Sequence, residues 1–226
     1  MQGELFLTKD GSHSLRSLEN PALTYHSTHG AINESRHVFV EAGLRRLLDD
    51  GKTEIRILEM GFGTGLNALL TLTELSNYPH ASIYYDTYEL FPIDEEQAGK
   101  LNYPQQLGIN ADTFQALHQT EFGIETLITD RFHFRKYREN FLDVTPSPVY
   151  DLIYYDAFAP EDQPELWTAS AMERCATWLK PGGALVTYCA KGQFKRNLRA
   201  AGFRVKALPG PVGKREITLA DLVDLA

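Results

Sequence analysis

The sequence has few cysteines and no long apolar run. Cys175 and Cys189 are its only cysteines, and neither belongs to a Cys-x-x-Cys or Cys/His pattern. Neither a disulfide framework nor a structural zinc site is therefore indicated, and we expect two buried thiols. No apolar stretch approaches the ~18–20 residues of a membrane-spanning helix, and residues 1–4 lack the basic and apolar regions of a signal peptide. The sequence thus predicts a cytoplasmic protein without a membrane partner.

Acidic residues are absent from one stretch of an otherwise acidic chain. The formal net charge is −8, which taken as a whole argues against a nucleic-acid partner. Ten of the 22 Lys and Arg residues, however, lie between Arg174 and Arg215, where no Asp or Glu occurs. Such an asymmetry indicates a polyanionic partner if these residues share one face. If folding mixes them with the acidic segments, they form only an ordinary solvated surface.

Internal repeats, low-complexity tracts and linker-like segments are also missing. The 226 residues are 43% hydrophobic and 23% charged, a composition typical of a folded globular chain. We therefore predict a single domain over residues 1–226, in which residues 1–50 form an N-terminal lid and helix and residues 51–226 form the core.

Strand-like and helix-like patterns alternate along the chain. Apolar runs bounded by turn residues predict strands at 55–58, 82–90, 132–137, 149–155, 184–189, 203–208 and 216–219. Apolar residues at helical spacing predict helices at 34–48, 66–75, 94–101, 112–118, 168–179 and 193–201. This order indicates an α/β fold with a doubly wound, mostly parallel sheet. The turn Pro209-Gly210-Pro211 between the last two strands favours a C-terminal antiparallel hairpin.

A glycine-rich turn follows the first predicted strand of that sheet. Ligands of such sheets bind at the carboxyl ends of the strands, and residues 59–65 lie at such an end, directly before a helix. Gly61, Gly63 and Gly65 allow the backbone to turn tightly and to approach a ligand. Leu66 stands where the dinucleotide fingerprint needs glycine, and no Gly-Lys-Ser/Thr follows. The turn therefore indicates a cofactor site other than a nicotinamide or P-loop site.

Two carboxylates end other strands at the same predicted edge. Glu89 ends the second strand, where an acidic side chain can accept hydrogen bonds from ribose hydroxyls. Asp156 follows a later strand and opens the segment Asp-Ala-Phe-Ala-Pro. A planar substrate would fit beside Asp156 and Phe158. Phe158 and Trp167 are also consistent with a purely structural role as packing aromatics. Glu89 taken alone is equally consistent with a surface acid.

A polar segment at residues 25–39 contains three histidines, His26, His29 and His37. No carboxylate or cysteine completes a recognisable ligand spacing with them, so we predict no metal site. The segment is too polar for a core element, and we interpret it as a lid over a substrate or cofactor.

Together these segments resemble the methyltransferase half of the bacterial bifunctional proteins that make 5-methylaminomethyl-2-thiouridine in tRNA, and their stand-alone, MnmC-type relatives. The Asp-Ala-Phe-Ala-Pro block with Pro164 and Trp167 is the most specific part of the resemblance. The glycine turn and the Pro-Gly-Gly at 181–183 are shared by many enzymes that use S-adenosyl-L-methionine (SAM). The matching pieces span nearly the whole chain and comprise residues 25–39, 59–67, 89–92, 156–160, 164, 167, 180–183 and 213–216.

The resemblance implies the Rossmann-like class I fold of SAM-dependent methyltransferases and transfer of a methyl group to the amine of 5-aminomethyl(-2-thio)uridine at the tRNA wobble position. It implies that Asp156 binds and orients this amine, with Tyr25 as a second catalytic contact. The residues implied to hold SAM are Glu59, Gly61, Gly63, Gly65, Asn67, Glu89, Phe91 and Asp156, with Glu139 or Asn140 at the adenine amino group.

The same resemblance implies tRNA as the partner, bound through the anticodon loop. Phe158 and Pro160 would then contact the substrate base. The basic residues expected to hold the phosphates of the anticodon stem are Lys191, Lys195, Arg196, Arg199, Lys214 and Arg215.

The sequence departs from the bifunctional family in two respects. Where relatives have a Gly-Asp pair for the adenine amino group, this sequence has Arg138-Glu139-Asn140, so either Glu139 or Asn140 takes that role. The other departure concerns the oxidase. That family carries a flavin-dependent oxidase after the methyltransferase, and this sequence ends seven residues after Leu219. We therefore expect no flavin and no metal, and a functional link to a separate oxidase or to upstream tRNA-modifying enzymes. Two other functions remain open at this point. One is methyl or aminopropyl transfer to a small-molecule amine, and the other is a SAM-fold binding module without catalysis.

Overall fold

A computed structural model describes residues 3–145, 147 and 149–223. The first two and the last three residues of the predicted domain lie outside the described residues. Its strands are β1 (Gly3–Leu7), β2 (His13–Ser17), β3 (Glu54–Met60), β4 (Ser82–Tyr88), β5 (Thr126–Thr129), β6 (Phe132–Tyr137), β7 (Tyr150–Tyr155), β8 (Leu179–Thr187), β9 (Phe203–Pro209) and β10 (Glu216–Leu222). Eight of them form one sheet in the order β5-β6-β4-β3-β7-β8-β10-β9.

Helices connect the strands. The first is continuous but changes hydrogen bonding along its length, from α1 (Ala31–Ser35) through a π-helical segment (Arg36–Leu44) to α2 (Arg45–Asp49). The others are α3 (Leu66–Leu75), α4 (Glu95–Gly99), α5 (Tyr103–Leu107), α6 (Ala111–Gln119), a 3-10 turn (Pro164–Trp167), α7 (Ala169–Trp178) and α8 (Gly192–Ala200). Among the described residues, no helix has the length and apolarity needed to cross a membrane.

The five central strands, β6, β4, β3, β7 and β8, run parallel. The strand β7 is buried along its whole length, as expected for a strand covered on both faces. The first helix packs on one of these faces. Within it, a Cβ atom at Gly43 would lie 2.9 Å from Val186, so a larger residue there would push the helix away from the sheet.

These features confirm the predicted α/β fold and its C-terminal antiparallel hairpin. Strand β10 pairs with β9 and with β8, both antiparallel. The hairpin β1–β2, which lies outside the main sheet, and the four-residue edge strand β5 were not predicted, because such short strands lack long apolar runs. The Lys180–Gly183 segment follows helix α7, as predicted, but it belongs to β8, where the pairing with β7 shifts register.

Folding mixes part of the acid-free stretch 174–215 with carboxylates from elsewhere. Five of its lysines form ion pairs: Lys180 with Asp151, Lys191 with Glu161, Lys195 with Glu216, Lys206 with Asp221 and Lys214 with Glu34. By contrast, Arg196, Arg199 and Arg215 are exposed. The stretch therefore keeps a smaller basic surface than its composition indicates.

Asp151, in β7, connects to β3, to β8 and to the turn before β3. Its carboxylate is 2% exposed and accepts hydrogen bonds from Lys52 Nζ (2.7 Å), Arg56 N (2.8 Å) and Lys180 Nζ (3.0 Å). Burial acts to raise the pKa of Asp151, but these hydrogen bonds together bring it below its usual value. A lowered pKa in the folded state stabilises the fold above the pKa of the unfolded chain, and this contribution is lost as the pH falls.

We predict that Asp151→Asn lowers the free energy of unfolding at pH 7 by about 2 kcal/mol, because half-exposed lysines lose a charged acceptor. The difference from the wild type should narrow as the pH falls below about 5. Urea denaturation at several pH values measures both effects. Glu54→Gln, at a carboxylate that is 58% exposed, is the matched control. An Asp151→Asn deficit that stays constant with pH would contradict this account.

Candidate active site

The carboxyl ends of β3, β4 and β7 meet at one side of a cavity of about 680 Å³. Four groups of residues form its wall: the N-terminal segment, the turn after β3, the loops after β4 and β6, and the loop after β7. Tyr188, after β8, and Lys214, in the connection between β9 and β10, complete it. This is the strand edge at which the sequence predicts the ligand.

The glycine turn approaches two other segments closely. Gly61 has a φ of +89°, and a Cβ atom there would lie 2.8 Å from the Asp156 carbonyl oxygen. Gly63 has a φ of +52°, and a Cβ atom there would lie 3.1 Å from the Tyr25 ring. Side chains at these positions would push apart the strand ends and the N-terminal segment. The glycines thus allow the cavity wall to close.

Glu89 fixes the rim of the glycine turn. Its Oε2 accepts a hydrogen bond from Gly63 N (2.9 Å), and its Oε1 accepts one from Phe91 N (2.7 Å). A carboxylate has about four lone-pair sites, so each oxygen keeps one acceptor site for a ligand. Glu89 can therefore hold the loop and a pair of ligand hydroxyls at the same time.

Asn67 bridges two carboxyl groups at the base of the cavity. Its Nδ2 donates to Glu59 Oε1 (3.0 Å) and to Asp156 Oδ2 (2.8 Å). Burial, and then the charge of Asp156, raise the pKa of Glu59 well above its usual value, which favours a neutral Glu59. Burial also raises the pKa of Asp156, to about 7, against the lowering effect of the Asn67 hydrogen bond. Asp156 is consequently the member of the pair that ionises near neutral pH.

The loop after Asp156 is held by hydrogen bonds to its backbone. Tyr188 OH donates to Ala157 O (2.8 Å), and Trp167 Nε1 donates to Phe158 O (2.8 Å). Trp167 is 4% exposed, which confirms the interpretation of this residue as a packing aromatic. Phe158 lines the cavity and meets Tyr25 edge to face, with ring centroids 5.3 Å apart.

Residues 22–28 of the N-terminal segment lie in the cavity wall. Burial, and then the charge of Glu89, raise the pKa of Tyr25, so its hydroxyl stays neutral. Burial also lowers the pKa of His26 to about 4. Over the described part of the chain, no cluster of three His, Cys, Asp or Glu side chains could hold a metal ion.

The structure places most of the predicted site residues around this cavity. Those in its wall are Tyr25, Gly61, Gly63, Asn67, Glu89, Phe91, Glu139, Asn140, Asp156, Phe158 and Lys214. Three others are adjacent to it: Glu59 contributes no atom to the wall but accepts a hydrogen bond from Asn67, Gly65 is the N-cap of α3, and Pro160 follows Ala159 of the wall. The predicted phosphate contacts Lys191, Lys195, Arg196, Arg199 and Arg215 lie outside the cavity wall.

Sequence reasoning did not select Glu34, Tyr188 or Gln163, which also line the cavity. Glu34 belongs to the polar segment 25–39, and Tyr188 follows β8, so each lies where the patterns indicate a ligand. Nothing in its own sequence neighbourhood singles out Gln163, whose Oε1 accepts from Phe158 N (2.9 Å).

Comparison with known families decides the class of this site. A sequence model of one family, described as S-adenosyl-L-methionine-dependent methyltransferase, matches residues 111–223, which is half of the chain. The chain belongs to this family. The matched part contains Asp156 and Lys214, whereas the glycine turn precedes it.

A curated relative extends the likeness over more of the methyltransferase. The chain is 32% identical over 206 residues to the tRNA 5-methylaminomethyl-2-thiouridine biosynthesis bifunctional protein MnmC of Ralstonia nicotianae. The alignment covers 87% of this chain and 31% of that protein. The chain thus spans about a third of the length of the curated relatives that it matches.

Two solved structures share the fold. MnmC2 from Aquifex aeolicus superposes with a TM-score of 0.79 at 24% identity, covering 98% of this chain and 70% of that one. Spermidine synthase from Thermotoga maritima gives a TM-score of 0.59 at 15% identity, covering 96% of this chain and 72% of that one. These likenesses confirm the predicted doubly wound class I methyltransferase fold.

The cavity fits SAM, the cofactor of the family. Both hydrogens of Asn67 Nδ2 are used by Glu59 and Asp156, while Asn67 Oδ1 is buried and has no hydrogen-bond partner within the described residues. An unpaired buried acceptor in a cavity wall is costly unless a ligand donates to it. Glu89 and the glycine turn suit the ribose, and Asn67 Oδ1 suits a donor such as the α-amino group.

We predict that Glu89→Gln weakens SAM binding about tenfold or more. The amide nitrogen of Gln would face one of the backbone donors, Gly63 N or Phe91 N, and the charged acceptor would be lost. Isothermal titration calorimetry measures the Kd. Glu121→Gln, at an exposed acid, is the control and should bind SAM like the wild type. Equal Kd values for the wild type and Glu89→Gln would remove Glu89 from the cofactor site.

Proposed function

We propose that this methyltransferase transfers the methyl group of SAM to the amine of 5-aminomethyl(-2-thio)uridine at the tRNA wobble position, giving 5-methylaminomethyl(-2-thio)uridine. One observation carries the proposal: the Asp156 carboxyl group lies in the cavity wall and accepts a hydrogen bond from Asn67, a residue of the helix that follows the glycine turn. A group able to bind an amine thus stands next to the proposed cofactor position.

The relatives support the identity of the substrate. The bifunctional protein named for 5-methylaminomethyl-2-thiouridine biosynthesis in tRNA aligns with 87% of this chain, and the aligned part includes Asp156. A tRNA substrate suits the chemistry as well. The wobble base lies in a single-stranded loop, so bringing it into a cavity costs at most a few kcal/mol.

The chemistry requires a neutral amine. When bound, SAM supplies an electrophilic methyl carbon on a positively charged sulfur. The amine nitrogen uses its lone pair to form the new carbon–nitrogen bond, the carbon–sulfur pair stays on sulfur, and one proton leaves the nitrogen. Asp156 binds and orients the amine for this displacement, and Tyr25, above Phe158, is the second contact.

Asp156 is also suited to accept the amine proton. An alkylamine has a pKa of about 10 and an ordinary aspartate one of about 4. Because burial raises the pKa of Asp156 to about 7, the gap between the two groups is roughly halved. Proton transfer from the amine to Asp156, and from there to water, therefore costs less free energy than transfer to an exposed aspartate.

The remaining assignments follow from the same proposal. Phe158 and Pro160 contact the uridine, while Glu139 or Asn140 holds the adenine amino group. The exposed residues Lys191, Arg196, Arg199 and Arg215 contact phosphates of the anticodon stem, with Lys195 beside Glu216 in support. We also propose a single domain over 1–226 with a lid and helix at 1–50, a cytoplasmic location, and a link to a separate oxidase or to upstream tRNA-modifying enzymes.

We predict that the protein incorporates labelled methyl groups from SAM into tRNA that bears 5-aminomethyluridine. Nucleoside analysis should find the label in 5-methylaminomethyluridine. Bulk tRNA without the aminomethyl group is the matched control and should stay unlabelled. If SAM binds but neither tRNA is labelled, the substrate is not this uridine, and a small-molecule amine becomes the next candidate.

We predict that Asp156→Asn lowers kcat for tRNA methylation by about 100-fold or more, because an amide cannot accept the amine proton. SAM binding should stay close to that of the wild type. The wild-type rate should rise as the pH passes about 7, where Asp156 ionises, and the variant should lack this rise.

The increase toward higher pH that comes from the amine itself should persist in Asp156→Asn. Asp130→Asn, at a side chain that is 87% exposed, is the control for the loss of one aspartate. Near-normal turnover in Asp156→Asn would remove Asp156 from the proposed reaction.

A further inference from the structure

Lys214 forms an ion pair inside the cavity wall. Its Nζ lies 2.5 Å from Glu34 Oε1 and 3.9 Å from the centroid of the Tyr188 ring. The Lys214 side chain is 30% exposed and that of Glu34 is 10% exposed. Lys214 is thus half-buried and held on both sides, by a carboxylate and by an aromatic ring.

Glu34 extends the connection to the N-terminal segment. Its Oε2 accepts a hydrogen bond from Ser27 N (2.8 Å), so one carboxylate links Ser27, α1 and Lys214. A second contact lies nearby, because a Cβ atom at Gly213 would come within 2.7 Å of His29 Nδ1. The connection between β9 and β10 therefore packs directly on the segment that covers the cavity.

Tyr188 connects Lys214 to the loop that begins with Asp156. The ammonium group of Lys214 lies over its ring, and its hydroxyl group donates to Ala157 O, one residue after Asp156. Lys214 thus contacts the cover of the cavity through Glu34 and the Asp156 loop through Tyr188. Both connections depend on the positive charge of Lys214.

We propose that the Lys214–Glu34 ion pair is a latch that positions residues 25–35 over the cavity and keeps Glu34 from competing with Asp156 for the substrate amine. The second half of this inference rests on the proposed function. Lys214 is accordingly a positioning residue of the methyltransferase site rather than a phosphate contact.

The charges explain why the latch matters for the reaction. Without Lys214, the nearly buried Glu34 carboxylate would be left without its counter-ion. It would either release Ser27 and turn toward water, which opens the cover, or bind the substrate ammonium in place of Asp156. Each outcome leaves fewer amines oriented for methyl transfer.

Hydrogen exchange tests the latch without any substrate. In the wild type, Ser27 N donates a hydrogen bond to Glu34, so this amide should be protected from exchange. Lys214→Met should speed exchange of the amides at 25–30 about tenfold or more, and Lys214→Arg should restore protection. Arg215→Gln, at the exposed neighbouring residue, is the control and should leave this segment unchanged. Unchanged exchange in Lys214→Met would overturn the latch.

Kinetics with aminomethyluridine-bearing tRNA test the effect on the reaction. Lys214→Met should lower kcat about tenfold or more while the Kd for SAM is kept, because orientation rather than cofactor binding is lost. The double variant Glu34→Gln/Lys214→Met should recover a large part of this loss, since it removes the uncompensated carboxylate as well.

The opposite pattern would identify a phosphate contact. In that case Lys214→Met and Arg215→Gln would both raise KM for tRNA, each would make the salt dependence less steep, and Glu34→Gln would rescue neither. If the wild type methylates no tRNA, the proposed function fails, whereas the exchange experiment still decides whether the latch exists.

Discussion

The site depends on a single amide group, that of Asn67, which donates to two carboxyl groups that would otherwise repel each other. Glu59 is fully buried at the end of β3, and Asp156 follows β7, the strand that pairs with β3. The parallel pairing of β3 with β7 brings both carboxyl groups to the same edge of the sheet. Asn67, at the start of α3, lets them coexist by holding one oxygen of each. Burial and the charge of Asp156 favour the neutral form of Glu59, and Asp156 carries the charge at the cavity.

The other parts of the site follow from the same edge. The glycine turn must lie close to the Asp156 carbonyl for α3 to place Asn67 between the two carboxyl groups, and Gly61 allows this approach. Glu89 fixes the far side of the turn, and Tyr188 fixes the loop after Asp156. The N-terminal segment lines the same cavity, where Ser27 N donates to Glu34 and Glu34 pairs with Lys214. The sheet positions the side chains, and burial together with a few polar contacts sets the charge state of the two carboxyl groups.

Much of the sheet and of its active edge could be predicted because both depend on local patterns. Apolar runs mark the central strands, and Gly61, Glu89 and Asp156 each follow a strand end, where topology brings them together. The contact between Glu34 and Lys214 could not be predicted, because it joins residues far apart in sequence that no local pattern pairs. For the same reason, the composition of 174–215 overstated the basic surface. Its lysines find carboxylates that only the fold brings near, as Lys180 finds Asp151.

The most direct test of this account is a pH titration of the aspartate carboxyl groups, monitored by carbon-13 NMR of protein labelled at the carboxyl carbons. The account predicts one aspartate signal with a midpoint near pH 7, which disappears in Asp156→Asn and shifts in Asn67→Leu. If every aspartate carboxyl group titrates below about pH 5, as exposed ones do, Asp156 is not the tuned group at the cavity. The proposed path of the amine proton would then be wrong.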